Sequence, residues 1–306
     1  MRVIITGPTG AIGHALIEKC LSNGDEILAV CRKGSKRISS LPNSHLLHIL
    51  ELSLDDYEAF MQMDLSGIGR YDVLFHFAWN GTTGQERNNT DLQALNVQYS
   101  LDAVKLASKL GCHTFIGAGS QAEYGRVEGI LKPDTPAFPE NGYGIAKLCA
   151  GQLTRILCEQ MGIKHIWTRI LSVYGPYDGE KSMIISSLRK MLRGEMVSFT
   201  KGEQEWDYLY SSDAAEAMYL LAEKGIHGKI YVLGSGKARE LKDYIYMMKT
   251  AASSNSVIRL GDIPYSDKQV MYLCGDISDL KEDVGFEPKI EFEEGIHNTI
   301  RYLKKR

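Results

Sequence analysis

The side chains best equipped for chemistry in this sequence are a tyrosine and a lysine one helical turn apart. Tyr143-Gly144-Ile145-Ala146-Lys147 puts Tyr143 and Lys147 on one face of a predicted helix. A phenol at its ordinary pKa of ~10 is a poor acid–base group at neutral pH. A nearby ammonium favours the phenolate and draws that pKa toward the working range. Ser120, at the end of a predicted strand, can hydrogen-bond the same substrate oxygen. Ser120, Tyr143 and Lys147 are therefore the candidate catalytic residues, suited to proton transfer at an alcohol or ketone oxygen. Tyr-x-x-x-Lys alone is common in helices, so its weight comes from its surroundings.

Those surroundings begin with Gly7-Pro8-Thr9-Gly10-Ala11-Ile12-Gly13, which follows the first strand and opens the first helix. Glycines three apart let the backbone turn tightly, approach a pyrophosphate and pack helix against strand, while the helix N-terminus offers free N–H donors. Gly7, Thr9, Gly10, Ala11, Ile12 and Gly13 are thus expected to cradle a dinucleotide. An NAD site usually places Asp or Glu at the end of the second strand, to bond the ribose 2′-hydroxyl. Here Cys31-Arg32-Lys33 stands there, with Lys36 and Arg37 beyond. Arg32 and Lys33 suit a 2′-phosphate, which favours NADP(H) with NAD as the alternative; a solvated basic turn would look the same.

The elements that must position these groups alternate through the first half of the chain. Predicted strands are Arg2–Thr6, Glu26–Cys31, Leu46–Leu50, Val73–Ala78, Thr114–Gly117 and His165–Ile170; predicted helices are His14–Ser22, Leu92–Leu110 and Tyr143–Met161. The pattern implies βαβ units and a parallel sheet covered on both faces. Beyond residue 172 the rhythm changes. Helices at Met183–Arg193 and Asp213–Glu223 and isolated strands at Met196–Phe199 and Ile230–Leu233 suggest a smaller α+β region, with elements near 205–235 returning to the sheet. The division is 1–171 for the dinucleotide domain and 172–306 for a second region.

Composition removes other classes. The 306 residues carry 35 basic and 38 acidic side chains, a net charge of −3, so no global field attracts nucleic acid or an anionic membrane. Apolar residues at 44% and charged residues at 24% are ordinary for a globular protein. The 6 cysteines are scattered without metal-ligand spacing, and no metal is expected. No apolar run approaches the ~18 residues of a membrane span. Val3-Ile4-Ile5 reads as a buried strand with no room for a leader, so a cytoplasmic location is expected. His76, inside an apolar strand, reads as a core histidine.

Taken together, the motifs resemble the extended short-chain dehydrogenase/reductases that modify nucleotide sugars, the NAD-dependent epimerase/dehydratase group. The resemblance spans the chain. It includes the glycine loop, His76-Phe77-Ala78, Asn96, Ser120-Gln121-Ala122-Glu123-Tyr124-Gly125, Tyr143/Lys147, Arg169-Ile170-Leu171-Ser172-Val173-Tyr174-Gly175-Pro176, Trp206-Asp207-Tyr208-Leu209-Tyr210 and Gly285-Phe286-Glu287-Pro288. It implies a Rossmann-type doubly wound sheet with a smaller substrate-binding part, and Tyr143 as the acid–base residue. It also implies Ala78 and Asn96, with Tyr143 and Lys147, at the cofactor. Trp79, Ser120, Gln121, Ser172 and Trp206 would then face a nucleotide sugar. Trp79-Asn80-Gly81 also reads as an ordinary turn, and Trp206 as a core residue.

Departures from the group's pattern narrow the chemistry. The hexose 4,6-dehydratases carry Asp-Glu after the strand-end hydroxyl, and the GDP-fucose synthases a Cys at the second position, whereas this chain has Gln121 and Ala122. Ser172 stands where Asn is frequent, and Trp206 where an Arg often meets nucleotide phosphate. What remains is reduction of a C4 ketone on a nucleotide-linked 4-keto-6-deoxyhexose with NADPH, or 4-epimerisation with tightly held NAD. A third reading is a non-enzymatic NADP-binding protein. Apolar residues on more than one stripe of Leu92–Leu110 and Tyr143–Met161 predict a homodimer.

Overall fold

The computed structural model describes residues 1–305. In chain order the elements are β1 (Arg2–Thr6), α1 (Ala11–Ser22), β2 (Glu26–Cys31), β3 (Leu47–Glu51), α2 (Tyr57–Met61), β4 (Val73–His76), α3 (Thr90–Lys109), β5 (Thr114–Ser120), α4 (Gly142–Gln160), β6 (Lys164–Ile170), β7 (Ser172–Tyr174), α5 (Met183–Leu192), β8 (Val197–Phe199), β9 (Glu205–Trp206), β10 (Tyr208–Tyr210), α6 (Ser211–Lys224), β11 (Ile230–Leu233), β12 (Arg239–Glu240), α7 (Leu241–Ala251), β13 (Ile258–Leu260), β14 (Tyr272–Leu273), α8 (Ser278–Val284) and α9 (Phe292–Lys304). Short 3₁₀ turns lie between them.

Seven strands form one parallel sheet in the order β11-β6-β5-β4-β1-β2-β3. The alternation of β1 explains how it serves two layers. Val3 and Ile5 pack with Leu16 and Ile17 of α1 and with α6, while Ile4 packs with Val104 and Leu106 of α3 on the other face. Each of these side chains is fully buried, a contribution of roughly 1.5–3 kcal/mol apiece before entropy. Helices α3 and α4 start at Asn89 and Asn141, whose side chains accept from Leu92 N–H at 3.1 Å and Gly144 N–H at 2.9 Å. A third core joins α5, α7 and α9 through Ile185, Leu188, Ile245, Phe292 and Ile296.

Several boundaries differ from the sequence reading, each for a local reason. β4 stops at His76; beyond it the Phe77 N–H is shared between the Thr6 carbonyl and Thr6 Oγ1, and the Ala78 N–H donates to Thr6 Oγ1, each at 3.2 Å. α1 starts at Ala11, so Gly10 is its N-cap and Gly13 lies in its first turn. β5 stays paired with β6 as far as Ser120, three residues past the predicted end. Ile230–Leu233 is no isolated strand but the sheet edge, paired with β6. Tyr208–Tyr210 pairs with Ser172–Tyr174 outside the main sheet, and Val197–Phe199 pairs with Ile258–Leu260. Among the described residues no helix is long and apolar enough to cross a membrane.

Candidate active site

The chain runs β1, β2, β3 toward one edge and then returns to β4 on the other side of β1. The C-terminal ends of β1 and β4 therefore open a crevice, where open α/β sheets bind ligands. Gly7 has φ +67°, and a Cβ there would stand 2.9 Å from the Ala78 nitrogen, so glycine lets the loop close on β4. Gly10 is different, since a Cβ would meet only the Gly7 carbonyl at 3.7 Å. The space above Gly10 belongs to a cavity of about 350 Å³ that Ala11, Ile12, Gly13, Trp79, Ser120, Tyr143 and Lys147 also line. Helix α1 has no side-chain cap and no acidic residue in its first turn, which leaves its leading N–H groups to an anion. The cradle fits a dinucleotide pyrophosphate.

Ser120 is fixed from below. Its N–H donates to Glu123 Oε1 at 2.8 Å, and its Oγ accepts from Ala122 N–H at 3.2 Å, a reciprocal cap. Glu123 is fully buried and also accepts from Trp167 Nε1 at 3.0 Å and Arg169 Nε at 2.9 Å. Burial pushes the Glu123 carboxyl upward, and the Arg169 guanidinium opposes it most strongly.

Lys147 is only 3% exposed. Its Nζ donates to the Ala118 carbonyl at 2.6 Å and stands 3.7 Å from the centre of the Trp79 ring. Burial lowers its pKa to about 7. The expectation that Lys147 draws the Tyr143 phenol downward is reversed here. Burial raises Tyr143, and the groups that oppose it are the Ser120 side chain and Arg87. The Arg87 guanidinium lies 4.3 Å from the centre of the Tyr143 ring, whereas Lys147 Nζ is 5.8 Å away and directed elsewhere.

The remaining expected residues divide. Ser172 and Trp206 line a second cavity of about 870 Å³, and Trp206 Nε1 donates to Ser172 Oγ at 2.6 Å. Trp79 meets Tyr143 edge-to-face at 6.0 Å and donates to Gln93 Oε1 at 2.9 Å. Asn96 sits behind that loop, accepting from Asn80 N–H and donating to the Asn80 carbonyl, both at 2.9 Å. It positions the loop rather than lining a cavity. Thr9, Ala78 and Gln121 are also off both cavity walls. Arg32 is exposed without a side-chain partner, Lys33 pairs with Asp56 at 2.8 Å, and Arg37 donates to the Tyr177 carbonyl at 2.5 Å. His76 bridges Thr6 Oγ1 at 3.0 Å and Ser100 Oγ at 3.3 Å, and burial lowers it to about 3, a neutral core residue.

Sequence reasoning missed Thr82, Arg87 and Asp178. The two cavities share Thr82, Tyr143, Leu171, Val173 and Asp178, and Arg87 lines the larger one beside Tyr143. Thr82 and Asp178 sit in irregular segments and Arg87 in a short 3₁₀ turn, where spacing carries little signal. Tyr177, beside Asp178, has φ +64° with its ring stacked 3.5 Å from His14.

Comparison with known proteins agrees with this geometry. A CDP-abequose synthase of Salmonella typhimurium is 25% identical over 310 residues, covering 98% of both chains. The structure of UDP-glucose 4-epimerase from Thermotoga maritima with UDP-glucose is similar at TM-score 0.88 and 25% identity, over 100% of this chain and 99% of its own. UDP-glucuronic acid 4-epimerase from Bacillus cereus, solved with UDP-glucuronic acid and NAD, shares the fold at TM-score 0.85 and 18% identity, over 100% and 99% of the two chains. Residues 3–234 match the family model described as the NAD dependent epimerase/dehydratase family. With a parallel sheet, a glycine cradle and Ser120, Tyr143 and Lys147 on one cavity wall, the chain belongs to that family of enzymes.

Proposed function

We propose that the protein reduces the C4 ketone of a nucleotide-linked 4-keto-6-deoxyhexose with NADPH. The observation that carries this reading is Tyr143 at the junction of two cavities, with Ser120 and Lys147 on the same wall. A protonated phenol is the form needed to neutralise an alkoxide as it develops. Bound NADPH supplies the hydride. Tyr143 donates its proton to the C4 oxygen, the Ser120 hydroxyl donates a hydrogen bond to the same oxygen, and Lys147 holds the cofactor ribose. Gln121 and Ala122, where a dehydratase or a 3,5-epimerising enzyme would need an acid or thiol, are off the cavity walls. Exposed, unpaired Arg32 supports the choice of NADP(H). On this reading residues 172–306 supply most of the sugar-nucleotide cavity, with Ser172 and Trp206 on its wall.

The second reading is a 4-epimerase with resident NAD, favoured by the 4-epimerases among the structures that share the fold. Anaerobic mixing of the purified protein with NADPH and a panel of 4-keto-6-deoxy nucleotide sugars, followed at 340 nm, decides between them. Stoichiometric co-purified NAD and sugar interconversion without added cofactor would replace the reductase reading. NADPH binding without oxidation across the panel would favour a non-enzymatic role.

We also propose a homodimer through α3 and α4. Leu95, Ile145, Leu153, Ile156 and Met161 are exposed on these two adjacent helices, which is costly unless a second copy covers them. Light scattering at micromolar concentration should give twice the chain mass; a monomer rejects the assignment.

A further inference from the structure

Among the residues lining the two cavities, Asp178 alone is acidic. It stands on the wall of both. Its Oδ1 accepts from Gly179 N–H at 2.6 Å, and the Ser182 hydroxyl also bonds the carboxyl. A carboxylate has about four acceptor positions, so capacity remains on the cavity side. The segment that carries it is held firmly. Tyr177 takes a left-handed φ of +64°, its ring stacks on His14 at 3.5 Å, and its carbonyl is gripped by Arg37 at 2.5 Å. Among the described residues no salt bridge pairs with Asp178; burial raises its carboxyl, and the Ser182 hydroxyl, the Gly179 N–H and the Arg37 guanidinium oppose that. Of the cations on the cavity walls, Arg87 lies over the Tyr143 ring and bonds the Thr82 carbonyl, Lys147 bonds the Ala118 carbonyl, and Lys190 lines the larger cavity; none of them forms an ion pair with Asp178.

A lone carboxylate is an unexpected wall for a site that admits diphosphates, because it repels every anion that approaches. A ligand group is welcome beside it only if it is neutral and donates hydrogen bonds. We propose that Asp178 is the specificity residue of the sugar subsite: it accepts hydrogen bonds from hydroxyls of a neutral hexose and excludes hexuronates. The inference rests on the nucleotide-sugar reading above and adds the charge class of the sugar. Its physical content is both attraction and rejection. A hydroxyl gains a charge-assisted bond, while a sugar carboxylate in the same place meets a fixed like charge in a partly desolvated wall.

Titration calorimetry on the NADP⁺-loaded protein tests this. UDP-, dTDP-, CDP- and GDP-glucose are compared first, to choose the base; if the wild type binds none, the nucleotide-sugar reading itself fails. With the base chosen, the free diphosphate, the glucose conjugate and the glucuronate conjugate are titrated into wild type and Asp178→Asn. The wild type should favour glucose over glucuronate by about tenfold or more. The Asp178→Asn variant should bring that ratio within threefold, with free diphosphate and NADP⁺ affinities unchanged within twofold. An unchanged ratio overturns the inference, as does a wild type without preference. So does a loss of NADP⁺ affinity with the ratio intact, which would make the nicotinamide amide the donor that Asp178 serves. If circular dichroism finds Asp178→Asn unfolded, Asp178→Ser carries the same comparison.

Discussion

Lys147 offers the most quantitative test of the site. It is 3% exposed, its strongest partner is a neutral carbonyl at 2.6 Å, and Glu123 supports the charge only at a distance. Burial therefore dominates and moves the pKa from 10.5 to about 7. In the cofactor-free protein the unfolded chain binds this proton up to about pH 10, whereas the folded chain releases it from about pH 7. Between those values the unfolded state holds more protons, so stability rises with pH. The full span corresponds to about 5 kcal/mol, and the part between pH 7 and pH 9 to about 2 kcal/mol. Lys147→Met removes the titration. Its lost contacts shift stability by a constant, while other groups cancel in the difference. Urea unfolding of both proteins at pH 7 and 9 should then show the wild type gaining about 2 kcal/mol relative to Lys147→Met. A change below about 0.5 kcal/mol, or one of opposite sign, would mean that Lys147 keeps an ordinary pKa in the folded protein. Lys147→Met should in addition lose reductase activity and weaken cofactor binding.

Tyr143→Phe keeps the ring between Trp79 and Arg87 and removes the proton; single-turnover ketone reduction at saturating NADPH should fall at least ~10²-fold, with NADPH affinity nearly intact. A rate within threefold of wild type would assign the acid to another residue. Arg32→Asp should reduce the preference for NADPH over NADH by about 10- to 1,000-fold in kcat/KM; a wild type that already prefers NADH makes the basic segment a solvated turn. Gly10→Ala should keep the wild-type melting temperature within about 2 °C, since a Cβ there finds its nearest atom at 3.7 Å, yet weaken NADP(H) binding at least tenfold by filling the cradle. Retained cofactor affinity would place the pyrophosphate elsewhere.

The centre of the sheet was legible because β1, β2 and β4 are buried on both faces and read as nearly unbroken apolar runs, and because a glycine loop after the first strand fits few structures. Ser120, Tyr143 and Lys147 could be named from spacing around that loop. Electrostatics was less legible. Spacing puts Lys147 beside Tyr143 but cannot say that its ammonium turns to the Ala118 carbonyl, or that Arg87 folds back over the phenol. Asn96 shows the same limit, since one helix position serves equally a ligand and a backbone clamp, and the Asn80 bonds decide for the clamp. Asp178 reaches the cavity from a segment held at Tyr177 by the distant His14 and Arg37, and Thr82 from one held by Arg87 and Gln93.

The buried Glu123–Arg169 pair beneath Ser120 also constrains how this enzyme can diverge. A single substitution at either position strands a charge away from water, at a cost of about 3–5 kcal/mol, a large share of a typical fold's stability. Glu123 is tied further to Trp167 and to the Ser120 backbone, so a viable lineage would have to replace several neighbours together. The rim faces no such barrier. Thr82, Arg87 and Asp178 lie in connections between the helices and strands, outside the buried cores, where single changes leave the cores intact. A single change in the floor is thus costly and one on the rim cheap, so the rim is where substrate preference can be altered while the acid stays in place.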